Sequence, residues 1–282
     1  MAAVRDDRVG ARSALAGDVT AAAWPPLRFV AFGSGQCARV VTLRCSLIAS
    51  CVIVLAAAAY AETGGAAARF DATVRRVVLL GRSVDGRAIT AVETGDPDTR
   101  RRILVVGCIH GNECAGIAVA KRLISTGPPA GTDLWIVSDL NPDGAAAGTR
   151  GNADGVDLNR NFPWHWQRLS GAYYSGPRPL SEPETRIAYR LIKHIRPAVS
   201  IWFHQHLDLV DTSTGNRAVE RRFARSAELR LASLEREPGS AVTWETHRFP
   251  HASAFVVELA AGALAPAAVV RLAHAVRITA RG

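Results

Sequence analysis

The sequence lacks the features that mark several large protein classes. No unit of 20–50 residues recurs along its 282 positions, which excludes solenoids and propellers. Its five cysteines are too few and too unevenly placed for the disulfide framework of a small secreted scaffold. No block of five or six like charges occurs; the net charge of +9 comes from scattered arginines. Such a surface attracts anionic polymers or simply stays solvated. No nucleic-acid-binding motif accompanies the charge, so no nucleic-acid partner is expected. No apolar run reaches the roughly 20 residues that a bilayer-spanning helix needs.

The longest apolar run is nevertheless informative. Residues 46–61 follow Arg39 and Arg44, are almost wholly apolar, and end in Ala59-Tyr60-Ala61. A basic flank, an apolar core and a small-x-small ending form the pattern of a cleavable export signal. At about 16 residues the run is short for a retained anchor, the competing reading. A lipoprotein site at Cys51 would leave almost no apolar core before it. The first 40 residues show no clear periodicity, and the functional start is placed near Val40 or Val41. Residues 1–61 are therefore read as an upstream extension plus signal, and 62–282 as one catalytic domain of a secreted, periplasmic or envelope protein. The membrane is expected as a partner only in transit. Removal of the signal takes Cys37, Cys45 and Cys51 with it. Cys108 and Cys114 remain and read as two buried thiols in preference to one bridge.

From Phe70 onward strand-like and helix-like segments alternate, which argues for an α/β domain. Val77–Leu80 and Ala88–Thr94 flank a turn around Asp85-Gly86 and suggest a hairpin. The continuous apolar run Ile103–Cys108 suits a strand buried on both faces. The spacing then predicts a helix over Ala115–Ile124, a strand over Leu134–Val137 and a long polar loop from Asn141 to about Pro179. Ser181-Glu182-Pro183-Glu184 reads as a capping box opening a helix. A strand over Ala198–Phe203, a helix over Asn216–Glu235, a strand over Ala254–Val257 and a helix over Pro266–Thr279 complete the pattern. A loop of nearly forty residues inside a compact domain points to function.

The chemistry-bearing residues sit at the ends of those strands. His110 and Glu113 span a strand end and a first helical turn, where open α/β sheets bind ligands. Gly111 permits the tight backbone between them. His204 closes the strand at 198–203, with His206 a rival two residues on. Two histidines and one glutamate form a ligand set for catalytic zinc that leaves a fourth position for water. Glu258 interrupts the apolar strand before Leu259, a costly place for a carboxylate without a task.

Taken in order, Gly107-Cys-Ile-His-Gly-Asn-Glu113, Asn141-Pro-Asp-Gly144, Gly155-Val-Asp-Leu-Asn-Arg-Asn-Phe162, Ser181-Glu-Pro-Glu-Thr185, Phe203-His-Gln205 and Phe255-Val-Val-Glu-Leu259 make the chain resemble the zinc carboxypeptidase family, and within it the murein peptide amidase branch. The likeness runs from about Leu80 to Leu264. It implies a mixed, mostly parallel eight-stranded sheet flanked by helices, and one Zn²⁺ held by His110, Glu113 and His204. It implies Asp157 as the carboxylate that hydrogen-bonds the first ligand histidine, and Glu258 as general acid and base. Asn159 and Arg160 match the anchor for a substrate carboxylate, and Arg150 the cation that stabilises the oxyanion. One departure is plain: residues 236–253 contain no tyrosine, whereas digestive members of the family carry one ahead of the catalytic glutamate. That difference favours a cell-wall peptide substrate such as γ-D-glutamyl-diaminopimelate. Trp164, His165 and Trp166 are candidates for lining the cleft or for packing. The competing functions are a zinc deacylase of N-acyl amino acids and a non-catalytic peptidoglycan-binding relative.

Overall fold

A computed structural model of the chain describes residues 74–281. The export signal at 46–61, the start near Val40 or Val41, and Cys37, Cys45 and Cys51 lie outside the described residues. Chain order gives β1 (Val74–Arg82), β2 (Ala88–Gly95), β3 (Arg102–Val106), α1 (Gly116–Thr126), β4 (Asp133–Val137), α2 (Pro142–Ala147), α3 (Pro183–Ile195), β5 (Val199–Gln205), β6 (Leu209–Asp211), α4 (Arg217–Ala227), β7 (Arg230–Ala232), α5 (Ala241–Arg248), β8 (Ser253–Leu259) and α6 (Pro266–Thr279). The eight strands form one mixed sheet in the order β1-β2-β4-β3-β5-β8-β6-β7. At its centre β4, β3, β5 and β8 run parallel. The expected α/β class and eight-stranded mixed sheet are both present.

The central strands are apolar on both faces because both faces are covered. Leu104, Val106, Trp202 and Val256 pack with α3 and α5 residues such as Ile187, Leu191 and Trp244. Ile103, Val105, Ile201, Phe203, Phe255 and Val257 pack on the other side with Val119 and Leu123 of α1, Phe223 of α4 and Val276 of α6. Alternate residues of one strand thus feed two cores. Among the described residues no helix is long and apolar enough to cross a membrane.

Four expectations are corrected. The helix expected over Asn216–Glu235 begins as read, with the Asn216 side chain accepting from Ala218 N and Val219 N, but stops at Ala227. Glu228 takes a left-handed conformation (φ 57°), and the chain turns so that β7 can pair with β6. Tertiary pairing overrides helical propensity there. Ser181 does not cap α3: Glu182 holds the cap position without a side-chain bond, and the Ser181 hydroxyl donates to Glu182 Oε1. The 141–179 segment is not structureless; it contains α2 and single 3-10 turns at Leu158–Arg160 and Gly171–Tyr173. Cys108 and Cys114 are bridged and not free thiols. The turn from the end of β3 into α1 brings their Cα atoms to 4.7 Å, within bonding reach.

Candidate active site

The parallel strands β3, β5 and β8 are neighbours, so the residues at their carboxyl ends meet over one edge of the sheet. His110 leaves β3 and Glu113 follows three residues later. Their approach needs the chain at Gly111 to press on α2, where a Cβ would lie 1.9 Å from the Gly144 carbonyl carbon. His204 lies one residue before the end of β5 and pairs in register with Glu258 on β8. Residues in register on adjacent strands point to the same side.

His110 Nδ1, Glu113 Oε2 and His204 Nδ1 form a triangle with edges of 3.0, 3.1 and 3.1 Å. These three residues form the potential metal-holding group among the described residues. Zinc bonds to nitrogen and carboxylate oxygen run about 2.0–2.2 Å, so tetrahedral ligand atoms stand roughly 3.3–3.6 Å apart. The observed edges are slightly tighter and the donor types are right, so the set fits one zinc ion. His206 is exposed and outside the group.

The surroundings orient the ligands. His110 Nε2 donates to Asp157 Oδ1 at 2.8 Å, which turns Nδ1 toward Glu113 and His204. Arg150 spans the same carboxylates, donating through Nε to Asp157 (2.8 Å) and through Nη1 to Glu113 (2.7 Å). Burial alone would raise the Glu113 carboxyl; hydrogen bonds from both histidines hold it far below the usual range. Burial likewise works against the Asp157 carboxylate, and the His110 and Arg150 charges outweigh it. Burial, aided by the charge of His110, lowers His204 to about 4. That imidazole is neutral near pH 7, the form that ligates a metal.

Glu258 differs from these. Burial and the nearby Glu113 charge push it up to about 7, and its Oε2 is buried without a hydrogen-bond partner. A carboxyl group poised near neutrality is suited to exchanging protons.

Arg160 lies opposite, only 5% exposed. Its Nη1 donates to Asn159 O, its Nη2 lies 3.5 Å from the exposed Glu237, and its buried Nε has no partner. The Nε/Nη2 edge is therefore the side available for a fork-like bond to a carboxylate. Asn159 is fixed by accepting from Ala241 N at the start of α5. All these groups except Asp157 line one cleft of about 350 Å³.

The structure thus brings together His110, Glu113, His204, Asp157, Glu258, Arg150, Asn159 and Arg160, while His206, Trp164, His165 and Trp166 do not line this cleft. It adds Tyr173, whose ring sits 5.2 and 5.4 Å from the guanidinium carbons of Arg150 and Arg160. It also adds Arg236 and Glu237, which line the same cleft. Tyr173 belongs to a 3-10 turn inside the long loop; the loop's length was its one sequence signal. Trp164 proves to do two jobs: it packs on the α3/α5 core and lines a neighbouring cavity.

Comparisons with known proteins agree with this geometry. Residues 65–248 match the family model described as zinc carboxypeptidase. Murein peptide amidase A of Escherichia coli K12 is 32% identical over 162 residues, 52% of this chain and 66% of that protein. The human carboxypeptidase N catalytic chain is 29% identical over 174 residues, 46% of this chain and 38% of that one. The matched part of the chain thus spans just under two thirds of the Escherichia coli relative. Among solved structures, the murein-tripeptide amidase MpaA from Escherichia coli O157 superposes with a TM-score of 0.62 at 27% identity, covering 71% of this chain and 91% of that one. Carboxypeptidase A from Helicoverpa armigera, at 19% identity, shares the fold with a TM-score of 0.63 over 74% of this chain and 68% of that one.

Proposed function

The chain belongs to the zinc carboxypeptidase family, and from that premise we propose that it is a zinc-dependent hydrolase cleaving a peptide or isopeptide bond next to a residue with a free carboxylate. The substrate class is a cell-wall peptide such as one containing γ-D-glutamyl-diaminopimelate. The observation that carries this reading is the register of β5 on β8, which sets the Glu258 carboxyl, with its Oε2 buried and unpartnered, beside His204.

His110, Glu113 and His204 would hold the zinc, and the Asp157 hydrogen bond would keep the His110 ring in the ligating tautomer. Bound there, a zinc ion would supply Lewis acidity toward a water molecule and the scissile carbonyl. Arg160, backed by Asn159, receives the substrate's carboxylate and sets the bond in place. Glu258 takes the proton from the attacking water and returns it to the leaving amine, so one group serves as base and then as acid. Arg150 supplies positive charge on the side where the carbonyl oxygen becomes negative.

The cell-wall substrate draws support from the murein peptide amidase relatives. It also agrees with the absence of tyrosine from residues 236–253. The apolar run at 46–61, with its basic flank and Ala59-Tyr60-Ala61 ending, supports export to the envelope or beyond. The test is a product assay: zinc-loaded protein incubated with L-alanyl-γ-D-glutamyl-meso-diaminopimelate. Release of free diaminopimelate is expected. Cleavage confined to N-acyl amino acids would instead identify a deacylase, and binding without cleavage a peptidoglycan-binding relative.

A further inference from the structure

The cleft does not end at Arg160. Beyond it lies a second cavity of about 580 Å³, walled in part by Trp164 and by His247, whose ring stacks on that indole. None of the three metal-group residues lines it. Arg236 and Glu237 line both cavities and so stand at the passage between them.

Both side chains project from a short segment held at its two ends. Leu234 N donates to Asp211 Oδ1 at 2.9 Å. At the other end Phe162 N donates to Gly239 O (2.9 Å) and Gly239 N donates to Trp164 O (3.1 Å). Gly239 has φ +67°, and a Cβ there would lie 2.2 Å from Arg160 O, so the segment lies directly on the Arg160 backbone. Arg236 is anchored through Nε to Ser213 O at 2.7 Å, which directs its charge without neutralising it. Glu237 lies 3.5 Å from Arg160. The segment lacking the tyrosine of the digestive enzymes thus presents a fixed cation next to an anion.

A pocket for an apolar side chain needs neither charge, and a pocket for a lysine-like or glutamate-like side chain needs one. Adjacent opposite charges complement a group that itself carries both an ammonium and a carboxylate. We propose that Arg236 and Glu237 are specificity-determining residues that read a zwitterionic amino-acid group at the far end of the substrate's terminal side chain. Arg236 receives its carboxylate and Glu237 its ammonium, with the second cavity taking the end of the chain. The substrate class is a diamino dicarboxylic acid residue. This rests on the hydrolase reading above and deepens it.

The experiment compares three dipeptides in which γ-D-glutamate is joined to meso-diaminopimelate, to L-lysine, or to L-α-aminopimelate. The last two lack the distal carboxylate and the distal ammonium respectively. Loss of one charge-assisted contact corresponds to roughly tenfold or more. Arg236→Gln is therefore expected to lower kcat/KM about tenfold on the diaminopimelate and aminopimelate substrates and to leave the lysine one unchanged. Glu237→Gln should lower it about tenfold on the diaminopimelate and lysine substrates and spare aminopimelate. Equal effects on all three would overturn the proposal. So would a uniform gain in Glu237→Gln, which would mean that Glu237 merely competes for Arg160. Calorimetric binding of free meso-diaminopimelate to the zinc-loaded protein separates this from the parent reading. Binding that weakens about tenfold in each variant, with no dipeptide cleaved, keeps the pair and removes the hydrolase; no binding removes the pair. Thermal melts of both variants confirm that they fold.

Discussion

The wall of the cleft that carries His110, Glu113, His204 and Glu258 comes from the ends of three neighbouring parallel strands, whereas the wall with Arg150, Asn159 and Arg160, and Asp157 buried behind it, comes from a long loop. On the strand side, position follows from register: His204 and Glu258 are paired residues of β5 and β8, and both strands are locked into two apolar cores. On the loop side, position follows from polar ties. Asn141 Nδ2 donates to Ile109 O, Asn152 Nδ2 to Glu182 and Glu184, and Asn161 Nδ2 to Ser175 O and Arg178 O. The first wall is fixed by burial of apolar surface and the second by satisfied amides. We expect the strand wall, with Arg150 facing it, to govern chemistry and the Asn159/Arg160 part of the loop wall to govern selection.

The largest effect should fall on the strand wall. Glu258→Gln keeps the shape of the site and removes the proton acceptor, so kcat should drop roughly 10²–10⁴-fold with bound zinc unchanged. Near-normal turnover in that variant would break the contrast at its strongest point.

The scaffold under that wall should respond to pH. Burial pushes Glu245 of α5 up to about 7, against hydrogen bonding from Ser200 of β5, and burial does the same to Glu220 of α4. A carboxyl whose folded pKa lies above its unfolded value binds more protons when folded. Its contribution is complete below the unfolded value near 4.5 and is lost as pH rises through 7. The displacement of Glu245 corresponds to about 3 kcal/mol. Chemical denaturation from pH 5 to pH 8 should therefore show falling stability, with a shallower fall in Glu245→Gln. An unchanged slope would mean that Glu245 stays ionised in the fold.

The smallest effect should mark the loop wall. Arg160→Ala should cost roughly 10–100-fold in kcat/KM on substrates with a free terminal carboxylate and little on their amidated analogues. Equal losses on both would show that Arg160 supports the fold and does not select.

The same contrast explains what the sequence alone made legible. Strand-end residues announced themselves because an ionisable group that breaks or ends an apolar run is conspicuous. His110, His204 and Glu258 each do so. The two-faced central sheet was legible in runs such as Ile103–Cys108 for the same physical reason. The loop residues Asp157, Asn159 and Arg160 became visible only through an ordered family resemblance, because no periodicity governs a segment held by amide hydrogen bonds. Tyr173, Arg236 and Glu237 stayed hidden, since what places them is a 3-10 turn and a glycine contact with a distant backbone. The end of α4 was misjudged because Glu228 through Ala232 carries no helix-breaking residue; pairing between β6 and β7 ends the helix there. The bridge between Cys108 and Cys114 depends on a turn that spacing does not reveal.

The central claim, that His110, Glu113 and His204 converge on one zinc ion, is tested most directly by metal titration of the chelator-stripped protein. The account predicts one zinc bound per wild-type chain, and loss of that binding in His204→Ala while Glu258→Gln retains it. Full zinc binding by His204→Ala, or none by the wild-type chain, would contradict it.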